Sequence, residues 1–148
     1  MNNTEPSGRA GFWSLSTLLQ VVAATGLAVD ARVHWKLAPA YDAVKTSTIS
    51  QGTLFRVEAV LAVAAALIIL LSRHRLAALT VVMVAGGGLV PLFVYRYYNL
   101  GTLGPLPPMY EPLWYADKTN TAIAQGVATA AALMLILLAA KRKRRPGS

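Results

Sequence analysis

Four apolar segments dominate this chain, and their length is the strongest constraint on its fold. A helix needs about 20 residues to cross a hydrocarbon layer about 30 Å thick. Residues 10–29, 76–95 and 119–140 reach that length without a charge, and residues 53–72 reach it with Arg56 and Glu58 near their start. A soluble core would spread its apolar residues in amphipathic stripes instead. The pattern predicts an all-α membrane protein forming one domain over residues 1–148. It is a four-transmembrane-helix antiparallel bundle, with helices over about 11–37, 51–72, 76–97 and 119–140 and a long Pro- and aromatic-rich outer loop over 98–118.

Charge placement supports four spans rather than three. The net charge is +8, which taken alone suggests nucleic acid. Its distribution points to topology instead. Arg9, Arg73, Arg75 and the tail Lys141, Arg142, Lys143, Arg144 and Arg145, less Glu5, account for seven of the eight charges. If all four segments cross, these clusters share one side, the cytoplasmic side by the positive-inside rule. Both termini are then cytoplasmic, in a cell (inner) membrane. The tail reads as topogenic, with attraction to anionic lipid as a side effect. The bilayer is the expected partner, with another membrane protein or a second copy of the chain as further candidates; nucleic acid is not expected. Cysteine is absent, which excludes disulfides, thiol nucleophiles and electron transfer through cysteine pairs.

The first segment is not evenly apolar. Ser16, Gln20, Asp30 and His34 recur at helical spacings, so one face should look into the bundle. This helix extends past the apolar run and stops before Pro39. Residues 1–8 read as a disordered cytoplasmic end, with Phe12 and Trp13 as interfacial anchors. A competing reading makes the segment a cleaved signal peptide, with Arg9 before it and Gly26-Leu27-Ala28 as the small-residue site. Ser50 and Thr53 are both candidate caps for helix two. In helix three Pro91 cannot donate to Gly87, which predicts a kink or local unwinding near Gly86-Gly87-Gly88. The glycines are read first as letting another helix approach, and second as walling a cavity. For helix four the caps are Asp117, Thr119 or Asn120, and Ala122, Gly126 and Ala130 form a small-residue packing line.

The loop is the most specific part of the chain. Residues 95–118 hold five Tyr, Trp114 and four Pro. The prolines forbid a regular helix across its centre, and Gly101 and Gly104 supply turns. Its apolar content places it along the membrane surface or folded back over the mouth of the bundle.

Ionisable residues within spans usually find partners. Arg56 and Glu58 are two apart and cannot face each other on a helix. Glu58 must look to another helix, with His34, Arg96 and Gln125 at comparable depth. The expected polar cluster is therefore Asp30, His34, Arg56, Glu58, Arg96 and Gln125, walled by Tyr95, Tyr97, Tyr98, Tyr110 and Trp114. It is either a network that fixes helix register and anchors the loop, or a site for a small polar or quinone-like head group. No catalytic residue stands out. Haem bridged by the two histidines is excluded, because His34 and His74 fall at opposite ends, roughly 30 Å apart. His34 with Asp30 and Glu58 is too weak a signal for a metal. No cofactor is predicted.

The spacing His34-x-x-Leu37-x-x-x-Tyr41 and the pair Leu54-Phe55 resemble the DoxX-like group of small bacterial four-helix membrane proteins. The MYEPLWY segment resembles part of an uncharacterised, actinobacterial-type membrane family. The resemblance implies a four-helix integral membrane protein, sometimes linked to respiratory or redox systems, and carries over no catalytic residue. The leading expectation is a non-enzymatic accessory or interaction subunit with a polar pocket under its outer loop. The alternatives are a quinone- or small-molecule-binding, redox-associated component, and a small oligomeric transporter using Glu58.

Overall fold

A computed structural model describes residues 7–143, with side chains from residue 15 onward. The expectations placed on residues 1–6, Arg144 and Arg145, and on the side chains of Arg9, Phe12 and Trp13, lie outside the described residues.

The described chain is helical throughout, apart from its connections. Helix α1 spans Ser7–Leu37, α2 Gln51–Leu71, α3 Arg75–Tyr97 and α4 Ala116–Lys143. Helices α2, α3 and α4 are each long and apolar enough to cross a membrane. Helix α1 starts four residues before its expected boundary. Helix α4 starts at Ala116, three residues earlier than expected. This corrects its caps: Asp117 lies in the first turn, where its charge favours the helix N-terminus, and Thr119 and Asn120 lie within the helix.

The termini of the other helices follow local chemistry. Ser50, in extended conformation, caps α2 by accepting from Thr53 N–H at 3.0 Å. Helix α2 ends at an extended Ser72, and His74 caps α3, its Nδ1 accepting from Leu76 N–H at 3.3 Å. Helix α3 departs from α geometry over Val82–Gly86, which form a π turn, and then runs through Pro91 to Tyr97. The irregularity thus reaches Gly86, at the edge of the expected Gly86-Gly87-Gly88 site, and Pro91 itself sits in regular helix.

Contacts between the helices fix their directions. Gln20, in the first half of α1, donates to Ile69 O at 2.8 Å and Ser72 O at 3.2 Å at the end of α2. At the other end of α1, Lys36 pairs with Asp117 at the start of α4 at 2.8 Å. Gly88 of α3 abuts Gln125 of α4, and Gly86 faces Thr129. Each neighbouring pair is therefore antiparallel, in the cyclic order α1, α2, α3, α4.

The interior is built from small residues. Ala23, Ala59, Ala62, Ala65, Ala85, Ala128 and Ala132 are buried, while Leu18, Val60, Leu71, Met83 and Leu137 point outward and are exposed. In water this would be inverted, since burying large apolar groups is the main driving force. In lipid the tails solvate the leucines, and small residues let backbones pack closely. The packing line on α4 is Ala124, Ala128 and Ala132, not Ala122, Gly126 and Ala130: Ala130 is exposed and a Cβ on Gly126 would meet nothing within 4 Å. On α1, Gly26 faces Ala124 and Ala128, and Leu27 is fully buried. The segment read as an alternative cleavage site is therefore in the middle of the α1–α4 contact.

The two connections at the Lys36–Asp117 end fold onto each other. A short 3-10 turn, Ala38–Tyr41, follows α1. Thr46 Oγ1 donates to Pro105 O at 2.7 Å, joining the first connection to the long loop at 98–115. Gly101 and Gly104 adopt φ of 63° and 57°, the left-handed region that glycine enters without penalty. Gly104 thereby closes a turn in which Leu103 and Leu106 exchange backbone hydrogen bonds of 3.2 and 3.0 Å. Pro107 is fully buried, and Glu111 N–H donates to Tyr95 O at 3.1 Å. The loop therefore folds back over this end of the bundle.

Candidate functional site

Under that loop is a cavity of about 350 Å³, within the size range of small-molecule sites. Its walls come from the end of α1, the first half of α2, the segment Gly87–Tyr97 of α3, the start of α4 and the loop. Most of the lining is apolar: Leu37, Leu54, Leu92, Leu106 and Met109, with Phe55 and Pro91. His34, Glu58 and Lys118 on the helices and Glu111 on the loop are the acidic and basic groups that reach it.

The carboxylate side of the cavity is assembled from three helices. His34 Nδ1 lies 3.1 Å from the Asp30 backbone carbonyl and 3.0 Å from Asp30 Oδ1. As a donor, Nδ1 is aligned with the carbonyl rather than with the carboxylate. Both Asp30 oxygens lack a hydrogen-bond donor, although Asp30 is 0% exposed. The Glu58 carboxyl comes within hydrogen-bonding reach of Asp30, yet its buried Oε1 has no donor either. Two ionised carboxylates cannot satisfy each other, whereas one proton shared between them forms a single hydrogen bond. Gln125, also 0% exposed, has neither its Oε1 nor its Nε2 paired. Gly88 makes room for this arrangement, since a Cβ there would lie 2.3 Å from Gln125 Nε2 and 2.8 Å from Glu58 Oε1.

Leaving a buried polar group unpaired costs about 1–3 kcal/mol, more for a charged one. Such groups are few in native proteins, and each calls for an explanation.

Four of the six expected cluster members, Asp30, His34, Glu58 and Gln125, come together. The other two do not. Arg56 turns away and clamps Asp42 with both guanidinium nitrogens, at 2.7 and 2.8 Å. These hydrogen bonds hold the Asp42 carboxyl below its ordinary range. Arg96 lies over the rings of Tyr97 and Trp114, 5.3 and 5.8 Å from their centroids. The physical reason is shared: Asp42 of the first connection and Trp114 of the folded-back loop engage these guanidinium groups.

The expected aromatic wall is also largely replaced. Of its five members Tyr95 alone lines the cavity. Tyr97, Tyr98, Tyr110 and Trp114 are exposed and outside the lining. The actual wall is His34 edge-on to Phe55 at 5.1 Å, Phe55 against Tyr41 at 5.0 Å, and the hydroxyls of Tyr41 and Tyr115 2.9 Å apart. Burial, followed by that hydrogen bond, raises the Tyr115 phenol above its ordinary value. Phe55 was open to detection, because it precedes Glu58 by three residues and so shares its face. Tyr41 and Tyr115 carried no such signal.

The cavity opens sideways. Helix α2 and the Gly87–Tyr97 segment of α3 barely touch. Val57, Gly87 and Pro91 line the space between them yet remain exposed. Among the described residues no three His, Asp or Glu side chains are grouped to hold a metal ion. No protein-family model, curated protein or solved structure matches the chain.

Proposed function

We propose that this chain is a non-catalytic membrane protein that binds an amphipathic small molecule in its lateral pocket, as an accessory protein. In this reading α1 crosses as well, giving four spans with both termini cytoplasmic and the 98–115 loop outside the cell membrane. The observation that carries it is the combination of an apolar cavity, a gap toward the surrounding lipid, and acceptors without donors at the inner wall. An amphiphile entering between α2 and α3 would leave its tail among Leu54, Leu92 and Met109 and direct its head to Glu58. The loop shields that head from water and from the aqueous phase above.

The test is gentle extraction into lipid nanodiscs followed by mass spectrometry of what co-elutes. Gly87 lines the cavity and has nothing within 4 Å of a Cβ, so Gly87→Trp should fill the space with little cost to folding. An amphiphile retained by the parent and by Gly126→Trp, and lost from Gly87→Trp, supports the pocket. Equal retention by all three proteins refutes it.

A further inference from the structure

We infer that the ligand head is a protonated amine, bound through its N–H groups to Glu58. This rests on the pocket reading above and specifies its chemistry. Two observations on the side chains carry it.

The first is the direction of the missing hydrogen bonds. Of the unpaired buried groups, Asp30 Oδ1 and Oδ2 and Glu58 Oε1 are acceptors, the Thr121 hydroxyl in the lining is donor and acceptor, and the donors Gln125 Nε2 and Arg96 Nε belong to residues outside the lining. A quinone carbonyl or a carboxylate head would add acceptors to acceptors. An ammonium supplies only donors, three of them in a primary amine. Glu58 faces the cavity, and Asp30 stands behind it and adds a second negative charge.

The second is the charge balance. Among the described cations at this end, Arg56 is engaged with Asp42, Lys36 with Asp117, and Arg96 with Tyr97 and Trp114. Lys118 donates to Glu111 O and lies over Trp114, while Arg32 and Lys45 are exposed. Lys118 also lines the cavity and has the Glu111 carboxylate beside it, so Asp30 and Glu58 face His34; with both of their carboxyls ionised, one negative charge is left over even when His34 is protonated. In surroundings of low dielectric an uncompensated charge is costly, and a ligand cation removes that cost.

The experiment uses the full chain in phosphatidylcholine nanodiscs and three probes with one tail: octylamine, octanol and octanoate. Binding is read by equilibrium competition, and partition into lipid is subtracted with Gly87→Trp. Octylamine should bind at least about tenfold more tightly than either other probe, as expected for a hydrogen bond to a buried charge. Glu58→Gln should remove about that factor for octylamine. Octanol or octanoate binding as tightly as octylamine, in a Gly87→Trp-sensitive manner, overturns the amine and leaves the pocket standing. If Gly87→Trp changes no probe, both readings fall. The ranking of probes on the parent protein decides the matter even where Glu58→Gln fails to fold.

Discussion

Gly26 offers the sharpest test of the bundle. A Cβ added there would lie 2.7 Å from Ala124 O, 3.0 Å from Ala128 Cβ and 3.4 Å from Ala128 N. Two of these atoms are backbone, so no rotamer change relieves the contact; α1 and α4 must move apart by a few tenths of an ångström. Overpacking of this kind costs about 1–3 kcal/mol. Alanine is about 1 kcal/mol better than glycine within a helix, which offsets part of it. Gly126 supplies the control, since it is also helical and a Cβ there meets nothing within 4 Å. Gly126→Ala keeps the propensity gain without the clash. The difference between the variants therefore isolates packing, whatever helix content the unfolded reference retains. Reversible unfolding in a titration of sodium dodecyl sulfate should place Gly26→Ala about 1–3 kcal/mol below Gly126→Ala. Equal stabilities would mean that α1 and α4 do not cross at Gly26, and the site built on their contact would lose its frame.

Three further outcomes follow from the same geometry. Replacing Gln125 by Leu should be neutral or stabilising by about 1 kcal/mol, because its amide has no partner to lose; a loss of more than that would return the cluster to a purely structural role. Arg56→Gln should raise the Asp42 pKa as followed by carboxyl carbon NMR. With the folded value depressed, the contribution of Asp42 to stability is present above its unfolded value of about 3.9 and fades as pH falls through the folded one, so the variant should lose that acid-side dependence. For topology, a cysteine at Thr102 should react with a membrane-impermeant maleimide in intact cells and one at Ser148 should not; the opposite pattern inverts the proposed orientation.

Much of this architecture was legible from residue spacing, and the failures have identifiable causes. Gln20, Asp30 and His34 stand at turns of one helix face, so their inward direction followed from periodicity alone. Glu58 and Arg56 were correctly separated, since two residues turn a helix by about 200°. The partner of Arg56 was not legible: Asp42 belongs to a connection whose path depends on Thr46 reaching Pro105. The same rotation explains the aromatic wall, because Tyr95 faces inward and Tyr97, two residues on, faces out. Gly88 read as a place for a helix to approach, and instead it makes room for two side chains.

Helix α4 shows why some choices lie beyond one segment. Ala122, Gly126 and Ala130 form a line of small residues, and so do Ala124, Ala128 and Ala132, about 200° around the helix. Local sequence does not distinguish them, and if anything the glycine favours the wrong one. The decision comes from α1. Gly26 presents bare backbone to its neighbour, and the close approach this allows is taken up by Ala124 and Ala128. With that face inward, Thr121 and Gln125 turn inward too, Thr121 into the cavity lining and Gln125 against Gly88. Had the other line packed, Gln125 would lie a quarter turn or more away from Glu58 and the acceptor cluster would not form. The position of one glycine on α1 thus selects which polar side chain of α4 reaches the site.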